Sequence, residues 1–175
     1  MHRETARPAL PTAANAVVAH AGATARLLEL SAEECRDVEL VAMLRDVGKV
    51  ALPDAVLTKP GYLDREDWAA IHQHPIAGEK IVASIPSLSR LAPAVRSEHE
   101  RWDGTGYPDG LAGHEIPMAS RIVLVCDAYH AMTSDRPYRR AMSPDVAVEE
   151  LVRGAGTQFD AAVVGAFVRV LHRDR

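Results

Sequence analysis

The most informative stretch of the 175-residue chain runs from residue 98 to residue 108 and reads Glu98-His99-Glu100-Arg101-Trp102-Asp103-Gly104-Thr105-Gly106-Tyr107-Pro108. Its first three residues offer imidazole and carboxylate donors for a divalent cation. The glycines and the proline that follow predict a tight loop directly after a helix end. A loop held this close to a ligand cluster is suited to cover a substrate, although a charged helix end followed by an ordinary surface loop would look the same.

The composition is that of one soluble globular domain. Apolar residues make up 47% of the chain and charged residues 25%, and the net charge is -4 with a pI near 6.0. This charge argues against binding to a nucleic-acid polymer through bulk positive charge. The two cysteines, Cys35 and Cys126, lack metal-type spacing and favour a reducing, cytoplasmic setting. No signal peptide is evident, and no apolar run approaches the roughly 18 residues of a membrane span.

Apolar residues recur at helical spacing along most of the chain. They predict an all-α bundle of about seven helices, with residues 13–175 as the domain and residues 1–12 as a loose tail or linker stub. The predicted helix starts are marked by capping residues or a following proline: Ser31 with Glu34, Asp64, Ser143-Pro144 and Asp160.

Two predicted helices bear on the candidate site. The second helix of the chain is expected to end near Gly48, and a later one to cover residues 88–100. A long loop over residues 101–117 is expected to follow directly.

Six side chains on five separate predicted helices or helix ends are candidate metal ligands: His20, Asp46, His74, Glu98, His99 and Asp127. A helical bundle builds an internal metal site from side chains on facing helices. Mixed imidazole and carboxylate donors suit iron, manganese or zinc better than calcium or magnesium. Each residue taken singly is more often a buried filler or a surface group, so the hypothesis depends on the set.

Longer motifs, taken in order, resemble the HD-GYP family. Residues 44–54 are similar to the family signature LHDIGKIGIPD, and residues 98–111 are similar to HHERWDGTGYPxGL. Further matches in the same order are Lys59-Pro60-Gly61, His74-Pro75 with Gly78, Ile116-Pro117, Arg121-Ile122, Val125-Cys126-Asp127 and Arg136-Pro137-Tyr138-Arg139. The similarity extends from about residue 20 to residue 167, and the chain is identified as a member of the family.

The resemblance implies an HD-superfamily helical bundle with an extended GYP loop. It also implies cleavage of cyclic dinucleotides, chiefly cyclic di-GMP, with one or two divalent transition metals, iron or manganese. By position, a first metal would be served by His20, Asp46 and Asp127, and a second by Asp46, His74, Glu98 and His99. Asp46 and Lys49 match catalytic positions.

The resemblance also implies partners. The substrate would be held by Lys49, Tyr107, Arg136 and Arg139. A signalling partner protein, or a sensor or receiver domain in a longer parent chain, is a further expectation.

Two departures from the family fall on metal ligands. Arg45 replaces the histidine of the His-Asp pair, and a guanidinium has no lone pair with which to ligate a cation. Glu98 replaces the first histidine of a His-His pair, which is a milder change because a carboxylate is still a ligand. We expect Arg45 to pair with Asp127 or Asp46 and to leave one metal at the second position. A third metal is not expected, because Ala16 replaces the glutamate that such a site requires.

Two functions from different classes follow. One is a cyclic di-GMP phosphodiesterase weakened by Arg45 and Glu98. The other is a catalytically inactive domain that binds a cyclic dinucleotide or a partner protein. A phosphohydrolase acting on another nucleotide is disfavoured by the GYP loop. Turnover with added metal, measured beside ligand binding, distinguishes the first two.

Overall fold

The computed structural model describes residues 13–59, 61–62, 64–135 and 140–173, and its regular structure is helical. The α-helices of this part of the chain are α1 (Ala13–Leu27), α2 (Ala32–Leu44), α3 (Asp54–Leu57), α4 (Arg65–Ile71), α5 (His74–Ala83), α6 (Ala92–Arg96), α7 (Met118–Thr133), α8 (Pro144–Arg153) and α9 (Ala161–Arg173). Short 3-10 helices cover Val47–Ala51, Ser89–Leu91 and Gly113–Glu115. The described residues form isolated β-bridges but no strand, which confirms the all-α prediction.

Four helices begin at the caps that the sequence predicted. At the start of α2 the Ser31 hydroxyl accepts the amide of Glu34, and the Glu34 carboxylate accepts the amide of Ser31. Asp64 caps α4 in a second capping box, and Ser143 caps α8. The Asp160 carboxylate accepts an amide in the first turn of α9. Each cap satisfies backbone donors that a helix start leaves without an intrahelical partner.

The prediction of where two helices end was wrong. Helix α2 ends at Leu44, and the Arg45 guanidinium turns back and donates to the Ala42 carbonyl at 2.6 Å. The predicted helix over residues 88–100 is instead a 3-10 turn followed by α6, which ends at Arg96. There the Ser97 hydroxyl donates to the Pro93 carbonyl. The candidate ligands near residues 46 and 98 therefore lie in turns, not on regular helices.

The core lies between α1, α2, α7 and α9, with smaller contributions from α5, α6 and α8. Small residues on α1 allow close packing of the neighbouring helices. Fully buried members include Val17, Ala21 and Ala25 of α1, Val38 and Val41 of α2, Ile122 and Val125 of α7, and Phe167 of α9. No described helix is long and apolar enough to cross a membrane. The tail predicted over residues 1–12 lies outside the described residues.

Gly48 brings the turn after α2 into backbone contact with α5. A Cβ at this position would lie 1.9 Å from the His74 carbonyl oxygen and 2.5 Å from the Gly78 nitrogen, closer than any side chain allows. This contact fixes Asp46 and Lys49 next to the first residue of α5.

We expect Gly48→Ala to lower the free energy of unfolding by about 1–3 kcal/mol, because the new methyl group must push two backbone segments apart. Urea denaturation measures this change. The matched control is Gly165→Ala in α9, where nothing lies within 4 Å of the added Cβ. That control should gain about 0.5–1 kcal/mol from helix propensity. A Gly48→Ala protein as stable as the wild type would contradict the close contact.

Candidate metal centre

Three predicted ligands, His74, Glu98 and His99, converge on one point. One nitrogen or oxygen atom from each residue lies within 4.8 Å of the other two. Among the described residues, this is the cluster of three side chains that could hold a metal ion. The two Nε2 atoms of His74 and His99 are 3.1 Å apart. Glu98 Oε1 lies 3.3 Å from His74 Nε2 and 3.9 Å from His99 Nε2. Two imidazoles and one carboxylate at this spacing can bind a single transition-metal ion.

His74 owes its orientation to the start of α5. It is the first residue of that helix and is followed by Pro75, which is favoured in a first helical turn. Its ring is buried, and its Nδ1 lies 2.6 Å from the Ile71 carbonyl oxygen. With the proton on Nδ1, the lone pair of Nε2 faces Glu98 and His99. A metal-binding histidine is usually oriented in this way, by a hydrogen bond from the ring nitrogen that does not bind the metal.

Glu98 is the buried carboxylate of this group of three. Glu98 is 3% exposed, and burial raises the pKa of its carboxyl to about 7. Neither carboxylate oxygen has a hydrogen-bond partner among the described residues. Burial, followed by the nearby His74, lowers the pKa of His99 to about 4, so His99 is neutral and has a lone pair available. A buried carboxylate without donors is unfavourable, and a bound cation would compensate it, so this set of residues fits a metal.

Arg45 occupies the other half of the site. Its Nε donates to Asp127 Oδ1 at 2.9 Å, and one terminal nitrogen lies 3.6 Å from Asp46 Oδ2. The side chain is only 12% exposed. The sequence predicted an ion pair of Arg45 with Asp127 or Asp46, and in the structure Arg45 pairs with both.

Asp46 is held by a second cation. Lys49 Nζ lies 2.6 Å from Asp46 Oδ1. Burial alone would raise the pKa of Asp46, but the hydrogen bond and charge of Lys49, together with Arg45, outweigh it and lower that pKa. Asp46 is therefore an ionised carboxylate paired with side-chain cations.

A cavity of about 200 Å³ joins the two halves of the site. Predicted site residues in its wall are Asp46, Lys49, Glu98, His99 and Asp127, joined by Arg45 and by the apolar side chains of Val17, Val123 and Leu124. His130, which lies one turn after Asp127, also lines the cavity. The site therefore combines one buried acid, Glu98, with two partly exposed acids, side-chain cations and an apolar wall.

Three predicted site residues are placed elsewhere or cannot be placed. The His20 ring packs against the rings of Phe167 and His130, at centroid distances of 5.5 and 5.6 Å, and is not in the converging group. The predicted phosphate contacts Arg136 and Arg139 lie outside the described residues.

Tyr107 is also not in the cavity wall. Its ring lies between His72, at 3.9 Å, and His99, at 4.9 Å, and both interplanar angles are near 20°. The sequence analysis missed His72 because nothing in the order of residues predicts that this ring reaches the loop.

Glu100 is a second residue whose role the sequence did not predict. The side chain is buried and turns away from the ligand cluster, toward the loop that follows. Its carboxylate accepts the amides of Asp109, Gly110 and Leu111 at 2.7, 3.1 and 3.1 Å. Glu100 is thus the internal anchor of the loop and not a metal ligand. Because Glu100 directly follows two candidate ligands, the sequence suggested a third metal donor and not an anchor for the loop.

The chain belongs to the HD domain family, because a sequence model of that family matches residues 3–163. It is 41% identical over 151 residues to the cyclic di-GMP phosphodiesterase response regulator RpfG of Xanthomonas campestris pv. campestris, covering 85% of this chain and 40% of that protein. It is 40% identical over 150 residues to the cyclic di-GMP phosphodiesterase PA4108 of Pseudomonas aeruginosa, covering 85% and 36%. It is 34% identical over 148 residues to the 3'3'-cGAMP-specific phosphodiesterase 3 of Vibrio cholerae, covering 85% and 32%. The chain thus spans roughly 32–40% of the length of these relatives.

Solved structures share the fold. The cyclic GMP-AMP-specific phosphodiesterase V-cGAP3 of V. cholerae superposes with a TM-score of 0.74 at 20% identity, covering 93% of this chain and 44% of that chain. Bd1817, an HDG"Y"P protein from Bdellovibrio bacteriovorus, superposes with a TM-score of 0.71 at 19% identity, covering 91% and 51%. Together with the named relatives, these matches confirm the HD-GYP resemblance and the helical bundle.

We expect Glu100→Gln to lower the free energy of unfolding by about 1.5–3 kcal/mol, because the amide cannot accept three backbone donors as the carboxylate does. Thermal denaturation measures the stability. Amide hydrogen exchange should show faster exchange at residues 109–111.

The matched control is Glu115→Gln, since Glu115 is exposed and accepts the amide of Ala112. Its effect should stay within about 0.5 kcal/mol. Unchanged exchange at residues 109–111 in Glu100→Gln would contradict the anchoring role.

Proposed function

We propose that this chain is a metal-dependent phosphodiesterase domain for cyclic dinucleotides, cyclic di-GMP above all, with lower activity than a two-metal enzyme. The observation that carries the proposal is the convergence of His74, Glu98 and His99 beside a cavity that also contains Lys49 and Asp46. The named activities of the relatives, on cyclic di-GMP and cGAMP, support this substrate class.

The metal would be held by His74, Glu98 and His99, with Asp46 as a nearby carboxylate. Iron or manganese suits this mixture of neutral imidazole and carboxylate donors. A bound divalent ion supplies Lewis acidity toward a phosphate oxygen and acidifies water. Ionised Asp46 faces the same cavity and would orient the attacking water by accepting its hydrogen bond.

One phosphodiester group of the substrate would occupy the cavity. Small-molecule sites commonly have volumes of about 300–1,000 Å³, larger than the 200 Å³ found here. The cavity therefore suits a phosphate and an adjoining sugar, and the remainder of a cyclic dinucleotide would lie on the outer surface. The Lys49 side chain is 46% exposed and would exchange its contact with Asp46 for the phosphate. Arg136 and Arg139 remain predicted phosphate contacts.

Arg45 would limit the rate. Its guanidinium neutralises Asp127 and part of the charge of Asp46, which a first metal would otherwise do. A guanidinium stays protonated and donates hydrogen bonds, but it does not coordinate water or acidify it. The reaction would then depend on one ion. The alternative of a domain that binds without turnover follows from the same feature if one ion does not suffice.

The proposal is tested by hydrolysis of cyclic di-GMP with added Mn²⁺ or Fe²⁺, beside calorimetric titration of the same nucleotide. We expect slow turnover that requires metal and is lost in His74→Ala. His114→Ala, which changes a histidine outside the cavity, should retain that turnover. Binding without turnover would select the binding-domain alternative. Absence of both would overturn the proposal.

We expect about one tightly bound metal ion per chain, rising toward two in Arg45→His, because an imidazole restores a ligand where the guanidinium now lies. Elemental analysis of protein purified without oxygen measures the content. The matched control is Arg90→His, since Arg90 forms an ion pair with Asp37 away from the cavity and should leave the content unchanged. Two equivalents in the wild type, or no gain in Arg45→His, would contradict the single-ion interpretation.

A further inference from the structure

We infer that His72 and Tyr107 form a stacked support that sets the ring orientation of His99 and thereby the metal affinity of the site. This inference rests on the proposed metal centre. It assigns positioning roles to one residue outside the recognised motifs and to the tyrosine of the loop.

Three rings lie in one stack. Tyr107 is the middle ring, 3.9 Å from the centroid of His72 with an interplanar angle of 22°, and 4.9 Å from that of His99 with an angle of 23°. Trp68 extends the group at its outer end, with its ring 6.0 Å from His72. The group therefore runs from α4, through the loop, to a candidate ligand.

The two histidines of the metal centre are oriented by different means. The ring of His74 is fixed by the contact of its Nδ1 with the Ile71 carbonyl. Within the part of the chain that the structure describes, His99 shows no corresponding contact from Nδ1 to a carbonyl or carboxylate. Its Nε2 faces His74, and one face of its ring lies against Tyr107. Stacking therefore takes the place of the hydrogen bond that usually orients a metal-binding histidine.

Tyr107 can hold a neighbouring ring because it is itself held on several sides. Its amide donates to the His99 carbonyl at 3.3 Å. The preceding residue, Gly106, lies so close to the chain that a Cβ there would be 2.4 Å from the Arg101 nitrogen. The loop beyond Tyr107 is tied down by Glu100. His72 then closes the outer face of the tyrosine ring, so the stack is restrained from both sides.

The test is titration of metal-free protein with Co²⁺ alone, followed by its visible ligand-field spectrum. We expect His72→Ala and Tyr107→Leu to raise the Kd for Co²⁺ about threefold to tenfold, the range that corresponds to one aromatic pair. The spectrum should also change, because the orientation of a ligand changes. His72→Phe and Tyr107→Phe keep a flat ring and should restore both the Kd and the spectrum.

The matched control is His114→Ala, which removes a histidine ring 5.1 Å from Trp102, outside the metal centre. It should leave Co²⁺ binding unchanged. A His72→Ala or Tyr107→Leu protein with the wild-type Kd and spectrum would overturn the inference while leaving the metal site intact. Failure of the phenylalanine variants to restore binding would overturn it too. A wild type that binds no Co²⁺ would overturn the metal centre itself and the stacked support with it.

Discussion

The buried carboxylate of Glu98 is the constraint on which the site depends. It has lost water, it has no hydrogen-bond donor among the described residues, and two imidazole nitrogens lie within 4 Å of one of its oxygens. Such a group requires a proton or a cation. The raised pKa of Glu98 means that the carboxyl binds a proton more readily, and a bound metal ion would supply the positive charge instead. The Gly48 contact and the loop anchored by Glu100 hold the surrounding groups in place.

Arg45 gives the two halves of the site different chemistry. Around Glu98 the missing positive charge would be supplied by an exchangeable ion. Around Asp46 and Asp127 it is supplied by a guanidinium attached to the chain, with Lys49 beside it. A fixed cation stabilises the neighbouring acids without releasing them as ligands. Under the proposed function, the same residue would make the site less active than one that holds two metals.

The sequence predicted those parts of the structure that depend on local pattern. Helical spacing and caps such as Ser31 and Asp64 act within a few residues, and these starts were found as expected. The ends of α2 and of the helix before Glu98 were predicted wrongly, because apolar spacing indicates that a helix is present but does not fix the residue at which it ends. The candidate ligands were recognisable from ordered motifs, and three of the six converge on one point.

Other features depend on contacts between residues far apart in the chain. His20 lies among aromatic rings, with the Phe167 ring 5.5 Å away, and not beside the other candidate ligands. The stacking of His72 on Tyr107 likewise joins the residue that follows α4 to the loop. No spacing rule contains such information, because each contact follows from how the helices pack against one another.

The most direct test of the central claim is anomalous diffraction from crystals of the protein grown with Mn²⁺. One ion should appear among His74, Glu98 and His99, with Arg45 still paired with Asp127. Two ions with Arg45 turned out of the cavity, or no ion beside Glu98, would contradict the account.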